Sequence, residues 1–241
     1  TGRYVADIAL PRETVGVVVR SEHAHAELSA VHTAAAAAMP GVLAVYTGKD
    51  LEAAGIGTLP CGWMVQSKDG SPMAQPPHPV LALGRVRHVG DPVAFVVAET
   101  RAEALAAAEA VTIDYAPLPN VTDLATAVTP EAPQLWAEAP GNLCYDWEVG
   151  DAAAVEAAFR DAHHVTTVAL VNNRINASPL ETRGAIGDWD AGTERLTLYT
   201  SNQNPHIIRL LMALATLKLS EEKIRVVSPD VGGGFGMKIY H

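Results

Sequence analysis

Runs of apolar residues in the first half of the chain predict strands buried in a core. Residues 14–20 (TVGVVVR) and 91–99 (DPVAFVVAE) combine β-branched residues with few charges, which is typical of buried strands. Residues 41–51 (GVLAVYTGKDL) contain a further short strand that closes at Gly48. The stretch 55–79 is rich in glycine and proline and shows no sustained period, so it predicts a long loop.

Two helices are predicted in the same half. The alanine-rich residues 29–39 suit a helix packed through its small side chains. Thr100 and Glu103 are spaced as a capping box, in which a hydroxyl and a carboxylate satisfy the free N–H groups at a helix start. A helix from there to Ala110 leads into residues 111–119 (VTIDYAPLP), a strand stopped by its prolines. This completes a strand, helix, strand unit.

The second half has the same mixed pattern after a proline-bearing linker at residues 116–140. Asp151 is placed to cap a helix over residues 152–162. Pro205 suits the first turn of a strongly apolar helix over residues 205–219, because its missing N–H is not needed there. Strands are predicted at four further places, namely residues 163–173, the surroundings of Ala185, residues 195–200 and residues 223–229.

Composition agrees with a mixed globular fold and disfavours two classes of partner. With 49% hydrophobic but only 5% aromatic residues, the core must be built from small and β-branched side chains, which predicts layered sheets and helices of the α+β class. Seventeen basic and 27 acidic residues give a formal charge of −10, which opposes nucleic-acid binding. The apolar runs are strand-sized and too short to cross a bilayer, so we expect a cytoplasmic protein without a membrane span.

The cysteines and histidines predict no metal site. Cys61 and Cys144 lie far apart and match no metal-binding spacing, so we expect both to be buried, reduced thiols. No histidine pair has the i, i+4 spacing of a helical metal site, and no carboxylate or cysteine cluster accompanies the histidines. We therefore assign no metal ligand to the side chains of this chain.

The sharpest local signal is residues 228–238 (SPDVGGGFGMK), where a strand runs into four glycines within five residues. We name residues 232–236 (GGGFG) the glycine turn. Its bare backbone can point N–H groups at the oxygens of an anionic ligand, but a tight turn with positive φ angles explains the glycines equally well. The dinucleotide fingerprint and the P-loop both fail, because the third fingerprint glycine is absent and Lys238 precedes Ile239 instead of a hydroxyl residue.

A second polar cluster, residues 200–206 (TSNQNPH), stands where a strand becomes the amino-terminal end of the apolar helix. Gln203 can offer its amide N–H groups to an oxo or carbonyl oxygen there, but spacing alone favours plain helix capping by Asn204. Further upstream, Glu181 and Arg183 lie on one side of the chain if the backbone is extended, which places them to form an ion pair.

Six segments, taken in order, resemble the large subunit of the molybdenum hydroxylases, the family of xanthine dehydrogenase, aldehyde oxidase and carbon monoxide dehydrogenase. They cover nearly the whole chain and comprise residues 1–8 (TGRYVADI), 41–51, 85–99 (RVRHVGDPVAFVVAE), 176–184 (NASPLETRG), 200–206 and 229–238 (PDVGGGFGMK). The resemblance implies an α/β-hammerhead domain over residues 1–128. It further implies the first, incomplete part of a molybdopterin-binding domain over residues 129–241.

The same resemblance implies a cofactor and its contacts. Gln203 matches the family glutamine that approaches the apical oxo group of molybdenum, which makes it the candidate catalytic residue. Gly234, Phe235 and Gly236 match the turn that approaches the same cofactor through backbone donors. The implied cofactor is molybdenum-molybdopterin in its cytosine dinucleotide form. The implied reaction is hydroxylation of a carbon centre, or oxidation of an aldehyde or carbon monoxide, with oxygen from water.

The resemblance also implies partner chains. Electrons would leave through 2Fe-2S centres on a small subunit and FAD on a medium subunit. The remaining segment of the large subunit would supply further cofactor contacts. The implied assembly is a dimer of heterotrimers.

Two departures from the family pattern narrow these implications. Xanthine dehydrogenases carry a glutamate soon after the lysine of this turn, whereas Ile239 follows Lys238 here, which favours the aldehyde or carbon monoxide dehydrogenase branch over purine hydroxylation. The family's general-base glutamate lies beyond His241, so we expect a piece of a longer protein or one part of a split subunit, inactive alone. The competing hypothesis is a non-catalytic binding or assembly module that keeps the hammerhead for docking.

Overall fold

In the computed structural model, which describes residues 1–173 and 175–239, the chain folds into three small sheets and several helices. Within those residues the strands are β1 (Val15–Arg20), β2 (Ala26–His32), β3 (Val42–Thr47), β4 (Arg85–Val86), β5 (Pro92–Ala98), β6 (Thr112–Pro117), β7 (Ala185–Asp190), β8 (Arg195–Thr200) and β9 (Ile224–Val227). The α-helices are α1 (Ala34–Ala37), α2 (Gly48–Ala53), α3 (Arg101–Ala110), α4 (Ala152–Asp161) and α5 (Pro205–Leu211). None of the helices in these ranges is long and apolar enough to span a bilayer. The mixture confirms the predicted α+β class.

Strand β5 is the centre of the first half. It lies between β1 and β3 in one antiparallel sheet, while β2 lies between β4 and β6 in a second antiparallel sheet. Ala94 and Val96 of β5 pack with Ala107 of α3, whereas Val93 packs with Val86 in a separate cluster. Successive side chains of a strand face opposite sides, so a strand between two clusters must be apolar throughout. This explains the unbroken apolar run in β5.

The predicted caps of α3 and α4 are confirmed. At the start of α3, Glu103 N donates to Thr100 Oγ1 at 3.3 Å, and Thr100 N donates to Glu103 Oε2 at 3.0 Å. At the start of α4, Ala154 N donates to Asp151 Oδ1 at 2.9 Å. A side-chain acceptor of this kind stabilises a helix by about 1 kcal/mol. Strands β5 and β6 flank α3 as predicted, although they belong to different sheets.

The third sheet brings the two polar segments of the second half together. Strand β8 pairs antiparallel with β7 and parallel with β9, and α5 lies in the crossover between the two parallel strands. The carboxyl ends of parallel strands lie at the same edge of a sheet, where ligands commonly bind. Residues 201–204 follow β8, and the glycine turn follows β9. Both segments therefore lie at this edge.

Hydrogen bonds connect the two halves of the chain. Gly57 N donates to Thr216 O at 2.8 Å, and Lys218 Nζ donates to Gly55 O at 3.0 Å. Gly57 has no room for a side chain, because a Cβ there would lie 1.8 Å from Ala215 O. The predicted long loop is confirmed, and these contacts anchor its start.

The helix predicted for residues 29–39 is wrong over most of its length. Strand β2 occupies Ala26–His32, and α1 is confined to Ala34–Ala37. Pairing of β2 with β6 and β4 outweighs the helical preference of the alanine-rich sequence. The apolar helix predicted from Pro205 is confirmed as far as Thr216, but its last part, Met212–Thr216, is a π-helix.

The strand predicted for residues 163–173 is also wrong, since no strand in the described parts of the chain includes these residues. Their side chains are exposed, including Leu170 at 85% and Val171 at 86%. An alternating pattern becomes a strand only where a neighbouring strand pairs with it and a core covers one face. The described residues supply neither. We name residues 165–171 (VTTVALV) the exposed apolar segment.

The burial expected for the two cysteines is wrong as well. Cys61 and Cys144 are free thiols, and both are exposed to solvent. Each lies in an irregular connecting segment instead of a core strand or helix. Connecting segments run over the surface of a protein, so a small apolar side chain within one need not be covered.

Candidate functional site

Gln203 is held against the glycine turn by its main chain and by one end of its side chain. Gln203 N donates to Lys238 O at 2.8 Å. Its Oε1 accepts hydrogen bonds from Gly236 N at 2.9 Å and from Lys238 N at 3.3 Å. Two N–H donors define which end of the amide is oxygen, so Nε2 lies on the side away from them. Nε2 donates to no acceptor among the described residues, and the side chain is exposed.

The glycine turn reverses the chain through two residues with positive φ. Met237 N donates to Gly234 O at 2.8 Å, and Phe235 and Gly236 between them have φ angles of 53° and 85°. Positive φ at both central positions is characteristic of a type I′ turn. Glycine adopts it freely, but in phenylalanine it costs about 1–2 kcal/mol. The Phe235 ring is 74% exposed, so burial does not offset this strain, and strained residues of this kind cluster at ligand sites.

Two glycines let the turn approach neighbouring side chains more closely than a larger residue would allow. A Cβ on Gly234 would lie 2.5 Å from Gln203 Cδ, and a Cβ on Gly232 would lie 2.6 Å from Glu181 Cβ. Positive φ, as expected for a tight turn, applies at Gly233 and Gly236, whereas Gly232 and Gly234 allow the close approach to these side chains. The turn is therefore wedged between the side chains of Gln203 and Glu181.

A buried ionic cluster lies beside the turn. The Lys238 side chain is 1% exposed, and its Nζ lies 2.8 Å from Glu181 Oε2 and 2.8 Å from Ser201 Oγ. The Ser201 hydroxyl donates to the same carboxylate oxygen at 2.5 Å, and Gly232 N donates to it at 2.8 Å. Three donors, one from the segment after β8 and two from the segment after β9, thus converge on one oxygen of Glu181.

These donors keep Glu181 ionised. Burial opposes the charge of the carboxylate, but hydrogen bonds from Lys238, Ser201 and the Gly232 N–H outweigh it and lower the pKa of Glu181 below its ordinary value. At neutral pH the contact with Lys238 is therefore an ion pair. A buried ammonium group without such a partner would be strongly destabilising.

Two expectations for this region are wrong. Glu181 pairs with Lys238 and not with Arg183, whose guanidinium donates to a main-chain carbonyl oxygen of the turn segment. Lys238 reaches Glu181 because the chain returns through the third sheet, a long-range contact that local spacing does not reveal. Asn204 occupies the N-cap position of α5, but its side chain makes no capping hydrogen bond within the described residues. Its N–H donates instead to Asn202 Oδ1 at 2.9 Å.

The four predicted site residues lie together at the sheet edge. The N–H of Gly236 is occupied by Gln203 Oε1, while the N–H groups of Gly234 and Phe235 donate to no acceptor among the described residues. The open donors are therefore Gln203 Nε2 and two main-chain amides. Neutral, preoriented donors of this kind fit an anionic, oxygen-rich group. Their contact with a cofactor stays a prediction.

Lys238 and Ser201 are the site residues that sequence analysis did not single out. Sequence analysis considered Lys238 only as a P-loop lysine and rejected that motif. Its neighbours Met237 and Ile239 are apolar, and it directly follows the glycine turn. A lone cation in such a setting is typical of a buried side chain that needs a carboxylate partner. This signal predicts a partner for Lys238 but does not select Glu181 among the carboxylates.

Both halves of the chain match known domain families. Residues 1–119 match the aldehyde oxidase and xanthine dehydrogenase a/b hammerhead domain, and residues 135–241 match the molybdopterin cofactor-binding domain. These matches confirm the predicted hammerhead followed by a molybdopterin-binding region. The predicted boundary between residues 128 and 129 falls between the two matches and stays a prediction.

Individual relatives match the chain along nearly its whole length. The carbon monoxide dehydrogenase large chain of Afipia carboxidovorans is 37% identical over 250 residues, covering 99% of this chain and 29% of that protein. The nicotine 6-hydroxylase large subunit of Paenarthrobacter nicotinovorans is 35% identical over 241 residues, covering 99% of this chain and 28% of that protein. The structure of reconstituted CO dehydrogenase from Oligotropha carboxidovorans has a TM-score of 0.85 and 36% identity, covering 100% of this chain and 30% of that chain.

The chain therefore spans less than a third of each of these three proteins. Its two domain matches follow each other in the order that the six sequence motifs predict. The fold, the motifs and the relatives agree with one another. The chain belongs to the molybdenum hydroxylase family of xanthine dehydrogenase, aldehyde oxidase and carbon monoxide dehydrogenase, and comprises the hammerhead domain and part of the molybdopterin-binding domain of a large subunit.

Proposed function

We propose that the chain is part of a molybdenum-dependent oxidoreductase, in which Gln203 and the glycine turn hold one side of a molybdenum-molybdopterin cofactor. The observation that carries this proposal is the oriented Gln203 amide. Two main-chain N–H groups hold its Oε1, which leaves Nε2 as a free donor at the sheet edge. The match to a molybdopterin cofactor-binding domain supports the identity of the ligand. When bound, the cofactor supplies two-electron oxidation of a substrate, with oxygen drawn from water.

The four predicted site residues would contribute to cofactor binding in different ways. Gln203 Nε2 donates a hydrogen bond to an oxygen of the cofactor, and because the amide is held in place beforehand, it needs no reorganisation during the reaction. The free N–H groups of Gly234 and Phe235 donate to further cofactor oxygens. Gly236 acts on the cofactor indirectly, because its N–H donates to Gln203 Oε1 and so orients the amide. The exposed Phe235 ring is available to cover the cofactor and exclude water.

The rest of the machinery is expected from other chains and from the remaining large-subunit segment. That segment would supply the general base and the other contacts to the cofactor, which we expect in its cytosine dinucleotide form. A medium subunit with FAD and a small subunit with 2Fe-2S centres would carry electrons away, in a dimer of heterotrimers. The names of the relatives, a large chain and a large subunit, support an assembly of several subunits.

We propose the aldehyde or carbon monoxide dehydrogenase branch for the substrate. Ile239 follows Lys238 where xanthine dehydrogenases carry a glutamate close by. The 37% identity to a carbon monoxide dehydrogenase large chain supports the same branch. Turnover of carbon monoxide or an aldehyde, compared with a purine, tests this choice directly.

The proposed function is tested on the complex purified from its source. We expect bound molybdenum in the wild-type complex. Gln203→Glu keeps an acceptor for the two main-chain N–H groups but replaces the Nε2 donor with oxygen, so kcat should fall by about 10²–10³-fold. Gln75→Glu, at an exposed glutamine outside the site, is the matched control and should turn over normally.

Two results would overturn the proposal. A wild-type complex without molybdenum would favour the non-catalytic assembly module. A Gln203→Glu enzyme with normal kcat and normal molybdenum content would remove Gln203 from the donor set.

A further inference from the structure

The ion pair between Glu181 and Lys238 plays no part in the donor set, yet it is expensive to bury. Lys238 is the one buried Lys, Arg, Asp or Glu side chain in the described parts of the chain. Replacing a buried ion pair by apolar residues of similar volume is often neutral or stabilising. Stability alone therefore does not explain why a lysine occupies this position, and the contacts around the pair suggest another role.

The pair closes the segment that contains the glycine turn. At the start of that segment, Gly232 N donates to Glu181 Oε2 at 2.8 Å, and Glu181 N donates to Gly232 O at 3.2 Å. At its end, Lys238 Nζ lies 2.8 Å from the same Oε2. Both ends of residues 232–238 are thus tied to one carboxylate, which sets the width of the turn between them.

The main chain of Lys238 also links the anchored segment to Gln203. Its main-chain O accepts a hydrogen bond from Gln203 N at 2.8 Å, and its N–H donates to Gln203 Oε1 at 3.3 Å. The second donor to Oε1, Gly236 N, lies between the two anchored ends of the segment. A shift of either end would move these two N–H groups relative to each other, and the amide could no longer bond both.

We infer that the Glu181–Lys238 ion pair is a positioning device, which fixes the width of the glycine turn and thereby the orientation of the Gln203 amide. The inference rests on the proposed role of Gln203 as a donor to the cofactor. Neither Glu181 nor Lys238 contacts the reacting atoms in this account. Ser201 supports the pair, because its hydroxyl bonds both partners.

The test compares two substitutions of Glu181 in the purified holoenzyme. Glu181→Gln keeps an acceptor oxygen for Lys238 Nζ and Gly232 N, whereas Glu181→Ala removes it. We expect Glu181→Ala to lower kcat per bound molybdenum by about 10- to 100-fold, the effect of a small misplacement of a catalytic group, with little change in KM. Glu181→Gln should keep most of the wild-type kcat per bound molybdenum. Glu27→Ala, which breaks a surface ion pair with Arg85, is the control and should leave kcat unchanged.

Hydrogen exchange gives a readout that does not depend on turnover. In Glu181→Ala, exchange should become faster at the Gly236 and Lys238 amides, whose acceptor is Gln203 Oε1, and remain unchanged in the hammerhead sheets. If Glu181→Ala does not fold, the double variant Glu181→Gln, Lys238→Met removes both charges at similar volume. It should show the same loss of kcat and the same local exchange.

The outcomes separate this inference from the proposed function. Normal kcat per molybdenum and normal exchange in Glu181→Ala would overturn the inference, as would a global rise in exchange with loss of molybdenum in both Glu181 variants. Faster exchange at the two amides, together with normal turnover of Gln203→Glu, would support the positioning of Gln203 and overturn its proposed role.

Discussion

Replacing Gly234 by alanine would show whether contact with the glycine turn holds Gln203 in place. A Cβ at this position would lie 2.5 Å from both Cδ and Oε1 of Gln203. The φ of Gly234 is not in the left-handed region, so alanine brings no positive-φ strain there. The Gln203 side chain is the flexible partner in this clash. Its amide must therefore move away from the N–H groups of Gly236 and Lys238.

The size of the effect follows from the two hydrogen bonds that would be lost. Each contributes about 0.5–1.5 kcal/mol net, so together they hold the amide by about 1–3 kcal/mol. That free energy corresponds to a fall of about 5- to 150-fold in the fraction of molecules with Nε2 correctly oriented. If the reaction needs this orientation, kcat falls by the same factor.

The assay is substrate saturation of the purified holoenzyme, with kcat expressed per bound molybdenum. Gly70→Ala, in the long loop outside the site, is the matched control, because its φ of 85° brings strain of about 1–2 kcal/mol but no atom lies within 4 Å of its Cβ position. It should lose stability while it keeps most of its kcat. A Gly234→Ala enzyme with kcat per molybdenum within about two-fold of wild type would refute the reasoning.

Three further substitutions test the fold and the ion pair. Gly57→Ala places a Cβ 1.8 Å from a carbonyl oxygen of the other half of the chain and should lower the thermal midpoint strongly. Gly55→Ala meets no atom within 4 Å and should lose only about 1–2 kcal/mol of stability through its positive-φ strain. Equal thermal midpoints of the two variants would contradict this. Thr100→Ala removes the cap of α3 and should lower the free energy of unfolding by about 1 kcal/mol in urea titrations, while no change would show that the cap contributes nothing. Because the folded-state pKa of Glu181 is lowered, its carboxylate stabilises the folded state above the unfolded-state pKa of about 4.3 and loses this effect as pH falls through the folded-state pKa. Glu181→Gln should therefore flatten the acid loss of stability in that pH window, and a parallel pH profile would argue against the ion pair.

Elements with a local cause were predictable from the sequence. The capping box at Thr100 and Glu103 places its own donors and acceptors within one turn, so its geometry follows from spacing alone. The apolar run of β5 indicates a strand that is buried on both faces, whichever strands pair with it. The helix prediction for residues 29–39 was wrong because pairing with a distant strand decides between helix and sheet for an alanine-rich segment.

The site was predictable only in part for the same reason. Gln203 and the glycine turn are conspicuous because each breaks a regular pattern at the end of an apolar element. Their mutual hydrogen bonds, and the pairing of Glu181 with Lys238, depend on β8 and β9 lying parallel with their carboxyl ends at one edge. That neighbourhood is a property of the topology. Local spacing consequently suggested Arg183 for the contact that Lys238 makes with Glu181, and Asn204 for a capping hydrogen bond that its side chain does not make.

The exposed apolar segment also affects how these 241 residues can be handled. Its seven residues, VTTVALV, contain no charge, proline or glycine and have a high preference for strands, which is the composition of segments that stack into cross-β aggregates. Nothing in the described parts of the chain shields Leu170 or Val171 from a second copy. A preparation of these residues alone should therefore aggregate more readily as its concentration rises. A charge at the centre of the segment, as in Val168→Lys, should act as a gatekeeper against that aggregation.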